Sequence, residues 1–135
     1  METKYKSIVK KRLLTCISGI RCLENTKFLD WLILTMTDTL KIVMSDFGND
    51  SNFCEDNFYL DMCYKVADEK KRQKKLHNNK KFDLDDWKLV IAEELGETIQ
   101  AFNSTDYPKM YEEGIQMISL MIRFKNEYLK KKNKK

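Results

Sequence analysis

The chain is poor in the residues that interrupt helices or build thiolate metal sites. Its 135 residues include four Gly, one Pro and one His, and its four Cys form no CxxC pair. With few breakers and no apolar/polar alternation of the β type, nothing points to a sheet. Cys16, Cys22, Cys54 and Cys63 lack zinc-site spacing, and the lone His77 sits in a polar stretch. Both facts argue against zinc and against a Cys/His nucleophile. Four buried free thiols in a cytoplasmic protein are the expectation instead. Long hydrophobic runs are missing too. The longest uncharged stretch, 114–122, is far too short to span a bilayer, so no membrane partner is expected. Residues 1–12 are charged and the apolar run 13–20 ends on Arg21, a pattern unlike a signal peptide.

What is present reads as one helical domain, 1–135. A hydrophobic content of 42% in 135 residues suffices for one core but not for two. The formal charge of +4 is unevenly spread. Residues 123–135 hold seven Lys or Arg against one Glu, and residues 69–81 again seven against one. Such blocks suit a polyanion, nucleotides included; the plainer reading is solvated helix ends and a basic tail at 129–135.

Periodicity predicts an all-α bundle of about five helices. The first covers about 5–23, with Ile8, Val9, Leu13, Cys16, Ile17 and Ile20 in a stripe. Asn25 or Thr26 can cap the second. That helix carries Phe28, Leu29, Trp31, Leu32, Ile33, Met36, Leu40, Val43 and Phe47 over much of its circumference, which predicts a central position. Residues 48–52 read as a loop. A third helix starts near Glu55, holds Phe58, Tyr59, Met62, Cys63 and Val66, and runs into a basic block until 78–82 break it. Asp83 or Asp85 opens a fourth helix that lasts to about Phe102. Residues 103–108 form a turn, and Pro108 suits the first turn of a fifth helix.

The chemistry concentrates in the last two helices, in Glu93-Glu94-Leu95-Gly96-Glu97 and Glu113-Gly114-Ile115-Gln116. Residues three apart share a helix face, so each pair can share one ion, and two facing helices can supply four oxygen ligands without a loop. Mg²⁺ prefers such oxygen donors and bridges a few carboxylates to substrate phosphates. Around the fourth helix, Leu84, Trp87, Ile91, Leu95, Ile99 and Phe102 form the apolar stripe. Glu94 and Glu97 share a column with Val90 and Ala101 beside it, while Glu93 points furthest away. Two carboxylates between Val and Ala are expected to be partly buried, which is costly unless a cation or proton compensates. On the fifth helix, Tyr111, Ile115, Ile118 and Ile122 make one apolar face. Glu113 and Gln116 lie on the other with Met117, Leu120 and Phe124, so this helix is expected to pack on both sides. The competing reading makes Glu93, Glu94 and Glu97 ordinary surface acids.

The run Trp87-Lys88-Leu89-Val90-Ile91-Ala92-Glu93-Glu94-Leu95-Gly96-Glu97, followed by Tyr111-Glu112-Glu113-Gly114-Ile115-Gln116, resembles the EExxE…ExxD signature of MazG-like nucleotide pyrophosphohydrolases. Upstream, Glu69-Lys70-Lys71-Arg72-Gln73 is similar to the E-x-x-R-Q segment of small phage and bacterial members. The resemblance covers about 68–128 and leaves 1–67 as helices of unassigned role. It implies hydrolysis of a nucleoside triphosphate between the α and β phosphates, giving a monophosphate and pyrophosphate. It further implies Mg²⁺, with Mn²⁺ as an alternative, and a homodimer or dimer of dimers. Carried over by position, Glu94, Glu97 and Glu113 are metal ligands and Gln116 stands at the family's Asp position. Glu93 matches the first acid, with Glu93, Glu94 and Glu97 forming the catalytic string. Gln116 departs from the pattern: its amide oxygen can ligate Mg²⁺ but adds no charge and cannot act as a base. Gly114 is unusual inside a helix, at a cost of about 1 kcal/mol against Ala.

Four more residues are candidates for substrate contact. Arg72 and Lys109 can meet phosphate, Asn103 can read a base or sugar or merely cap its helix, and Trp87 can stack on a base or belong to the core. Two other functions stay in view. One is a catalytically weak relative that binds nucleotide or a protein partner. The other is a nucleic-acid-binding bundle using the basic blocks, against which the acidic helices argue.

Overall fold

Side-chain caps set where the helices begin. Asn25 Oδ1 accepts the backbone N–H groups of Lys27 at 3.0 Å and Phe28 at 3.3 Å, so Asn25 rather than Thr26 starts the second helix. Asp83 forms a capping box: its Oδ1 accepts from the Asp86 N–H at 2.8 Å, and Asp86 Oδ2 accepts from the Asp83 N–H at 3.0 Å. Asp106 accepts from the Lys109 N–H at 3.2 Å, with Pro108 in the first turn.

The computed structural model describes residues 2–46, 53–76 and 81–132, and all regular structure among them is helical. Five long helices follow in order: α1 (Glu2–Gly19), α2 (Thr26–Asp46), α3 (Glu55–Leu76), α4 (Leu84–Asn103) and α5 (Tyr107–Phe124). A 3₁₀ turn at Ile20–Cys22 closes α1, and a π-helical turn at Lys125–Leu129 prolongs α5. Phe47, the 48–52 loop, His77 and the start of the 78–82 break lie outside the described residues, as does the end of the basic tail. Among the described residues, no helix is long and apolar enough to cross a membrane.

The centre of the bundle is α5, not α2. Twelve of its residues are buried, and α4, α2 and α3 all pack on it. By contrast, α2 buries one stripe, Leu29, Leu32, Met36, Leu40 and Val43, and leaves Phe28, Trp31 and Leu34 exposed. Continuous apolarity overstated its burial because only one face meets α1 and α5. The thiols also differ from expectation: Cys16 is buried, Cys22 is half-buried, and Cys54 and Cys63 are exposed. On α3 the buried column is Phe58, Met62 and Val66, four residues apart, and Cys63 falls about 100° off it. Ile17 is likewise exposed on α1.

Two local features fix how α4 and α5 face each other. The α4 C-terminus makes both bonds of a Schellman motif, Asp106 N–H to Ala101 O at 2.9 Å and Thr105 N–H to Phe102 O at 3.0 Å. Thr105 sits there at φ 56, a left-handed conformation that Gly ordinarily supplies. The same Asp106 that ends this motif caps α5, so the reversal takes very few residues. Further along, a Cβ on Gly114 would lie 2.6 Å from Leu40 Cδ1. Gly114 therefore lets α2 approach α5 closely, one residue after Glu113.

Candidate metal centre

The tight reversal brings Glu94 and Glu97 of α4 against Glu113 of α5. Each can offer a carboxylate oxygen such that all three atoms lie within 4.8 Å of one another. That span suits oxygens around one divalent cation, where opposed ligands stand about 4 to 5 Å apart. Glu113 is 9% exposed, Glu94 and Glu97 are half-buried, and Glu93 is exposed. The column of Glu94, Glu97 and Ala101 follows from i, i+3 and i+7 spacing on α4. Glu93 lies outside the converging trio, although its charge reaches Glu94.

The electrostatics of the trio are unbalanced. Burial pushes the Glu94 carboxyl up to about 9 from 4.5, reinforced by its contact with the Glu113 carboxyl and by the charges of Glu97, Glu113 and Glu93. Glu97 is raised as well, first by contact with Glu113 and then by burial, while contact with Glu94 and the Lys109 ammonium pull it back. Glu94 Oε2 and Glu113 Oε2 are buried and receive no hydrogen bond from a donor group of the described residues. Carboxyls in contact bond only by sharing a proton. Two orphaned buried oxygens of like charge are expensive unless a proton or a cation sits among them. The donor set, all carboxylate oxygen with no His or Cys, fits a hard cation such as Mg²⁺.

Two of the trio, Glu97 and Glu113, line an open groove of about 420 Å³ together with Gln100, Ser104, Asp106 and Lys109. Lys109 is thus brought beside the carboxylates, where the sequence reading wanted a phosphate contact. Asn103 is exposed as the last residue of α4, and Ser104 takes the C-cap position. Trp87 is 4% exposed, with rings of Phe82 at 5.2 Å and Phe124 at 5.8 Å. Of its two weighed roles, the core is the one the structure shows; a base has no free face of the indole to stack on.

Gln116 lines a second groove, of about 440 Å³, with Arg72, Glu69, Tyr111 and Glu112. Its backbone carbonyl accepts from Gln73 Nε2 at 3.1 Å, tying α5 to α3. Arg72 is brought to the same groove. Its Nε and Nη2 each donate to Glu69 at 2.7 Å, and the charges of Glu94 and Glu112 help to hold its guanidinium protonated.

Sequence reasoning missed a buried polar spine behind these grooves. Gln73, 3% exposed, donates to Glu69 Oε2 at 2.9 Å and accepts from Arg123 Nη1 at 3.5 Å. Arg123, 5% exposed, pairs with Glu127 at 2.7 Å and 3.2 Å and lies over the Trp87 ring at 5.4 Å. The i, i+4 spacings of Glu69 with Gln73 and of Arg123 with Glu127 were legible. Counting Arg123 into the basic block 123–135 concealed its role. In comparisons with known proteins, no protein-family model, curated protein or solved structure matches this chain.

Proposed function

We propose that the chain is a Mg²⁺-dependent nucleoside triphosphate pyrophosphohydrolase of the MazG-like kind, converting an NTP or dNTP and water to the monophosphate and pyrophosphate. The observation that carries this reading is the convergence of Glu94, Glu97 and Glu113 from two helices, with two buried carboxylate oxygens unpartnered among the described residues. These three residues would hold the ion. When bound, it neutralises phosphate charge and supplies a water acidic enough to attack phosphorus. Lys109 faces the same groove and binds a phosphate oxygen of the substrate. Ala101 lines the groove beside Glu97, while Ile91 and Leu95 are buried on the neighbouring face of α4 and anchor that helix in the core. Glu93, exposed and outside the trio, adds to the field at Glu94 rather than contacting the ion.

The second reading, a catalytically weak relative that binds nucleotide or a protein partner, is favoured by Gln116. It contributes no charge, and it lines the groove on the α3 side. The deciding experiment is pyrophosphate release from a panel of NTPs and dNTPs with Mg²⁺ and with EDTA, repeated on Glu97→Gln. Metal-dependent release that vanishes in a folded Glu97→Gln supports the enzyme. Release by Glu97→Gln at the wild-type rate refutes the site. Silence of the wild type, combined with nucleotide-induced thermal stabilisation, makes the binding protein the better account.

A further inference from the structure

Adjacent residues of α5, about 100° apart around the helix, line two different grooves. Lys109 and Glu113 face the groove of the carboxylate trio, whereas Pro108 and Glu112 face the groove toward α3. A ligand with two chemically different ends can therefore straddle the N-terminal half of α5. The trio groove offers a metal-ligating set and one ammonium, which suits the phosphates once a cation is present. The α3 groove differs in kind.

Its cations are already paired. Arg72 is engaged by Glu69, and Lys65 by Asp61 at 3.0 Å. Asp68 and Glu112 add negative charge to the lining, so a phosphate would enter an unfavourable field. A neutral heterocycle would not. The wall it would meet is Pro108 and the edge of the largely buried Tyr111, whose hydroxyl donates to Asp61 at 2.9 Å and whose ring face is covered by Lys65 Nζ at 4.9 Å. About 440 Å³ is a volume within the range of small-molecule sites.

Arg72 is an exposed residue, its side chain 52% accessible, yet one edge of its guanidinium is fixed. Its Nε and one Nη2 hydrogen bond to the two oxygens of Glu69. That carboxylate is 11% exposed and braced from behind by the buried Gln73. This uses one edge of the guanidinium and leaves the Nη1/Nη2 edge with no partner among the described residues. Two parallel N–H donors on a planar fork match two adjacent acceptors, as on the edge of a nucleobase. We infer that the groove between α3 and α5 receives the nucleoside end of the substrate, and that Arg72 is the residue that discriminates among bases there. The inference rests on the pyrophosphohydrolase reading and names which end of that substrate goes where.

Two measurements test it. The first is an NMR titration of the metal-free protein with nucleoside 5′-monophosphates of each base, and with ribose 5-phosphate as the base-free probe. Base-bearing ligands should shift the Tyr111 and Ile115 signals, and ribose 5-phosphate should not. The second compares wild type with Arg72→Ala and Arg72→Lys, using NTP kinetics and inhibition by inorganic tripolyphosphate. Both variants should raise KM for the preferred NTP at least tenfold and flatten base preference. Tripolyphosphate inhibition should stay within twofold of wild type. Turnover with unmoved Tyr111 and Ile115 signals overturns the groove assignment and leaves the reaction standing. Shifted signals without turnover keep the groove and sink the reaction. A tripolyphosphate inhibition constant that rises in step with KM makes Arg72 a phosphate ligand and overturns the inference.

Discussion

Replacing Glu94 with Gln should stabilise the metal-free protein at neutral pH while abolishing its response to Mg²⁺. The reasoning starts from a carboxyl raised from 4.5 to about 9 by burial and by its acidic neighbours. An acid whose folded pKa is raised keeps its proton in the native state while the unfolded chain loses it. Its contribution to stability is intact below pH 4.5 and declines as pH rises toward about 9. At pH 7 the decline amounts to about 3 kcal/mol, at ~1.36 kcal/mol per pH unit. Water at the open mouth of the groove reduces this to about 2 kcal/mol. Gln carries no titrating proton, and its amide can donate to the orphaned Glu113 oxygen. Urea melts in EDTA from pH 4.5 to 8.5 should therefore show equal stabilities near pH 4.5. At pH 7 the variant should be ahead by about 2 kcal/mol, roughly 6 °C in Tm. With millimolar Mg²⁺ the order should reverse, because only the wild type gains from ion binding. Parallel pH profiles, or a variant already less stable at pH 7 in EDTA, would refute the account of the trio as an uncompensated carboxylate cluster.

Two of the helical glycines, those in the acidic segments, should respond with opposite signs. Gly114→Ala drives a methyl into Leu40 and should cost about 1 to 2 kcal/mol despite the better helix propensity. Gly96→Ala meets nothing within 4 Å and should gain about 1 kcal/mol; chemical denaturation reads both. Thr105→Gly should stabilise by about 1 kcal/mol by relieving the left-handed turn, and an unchanged midpoint would mean the turn is not held at φ 56 in solution. Arg123→Ala strands Glu127 and Gln73 and empties the space over Trp87, so a loss of about 3 kcal/mol is expected. A loss below 1 kcal/mol would show that water replaces the guanidinium and that the spine is not structural.

Much of the fold was legible because helix starts and faces are local properties. Asn25 and Asp83 bond to N–H groups within three residues of themselves, so the sequence carries their meaning; Asp106 does the same for α5, where the sequence reading names only Pro108. The column of Glu94 and Glu97 beside the stripe of Ile91 and Leu95 likewise needs only 100° per residue. Where reading failed, the answer depended on a neighbour far along the chain. The exposure of Phe28, Trp31 and Cys63 depends on which face of α2 or α3 meets α5.

By itself, then, the amino-acid sequence determined an all-α chain, about five helices with Asn25 and Asp83 among the candidate caps, and two acidic segments placed beside apolar stripes. Tertiary structure decided that α5 is the centre and that Glu113 meets Glu94 and Glu97. It also assigned Gln116 to the groove with Arg72 and took Arg123 out of the C-terminal basic block into a buried spine. The division has a physical reason. Helical periodicity and capping involve atoms a few residues apart, whereas carboxylates on different helices converge only when packing and a tight reversal bring those helices face to face.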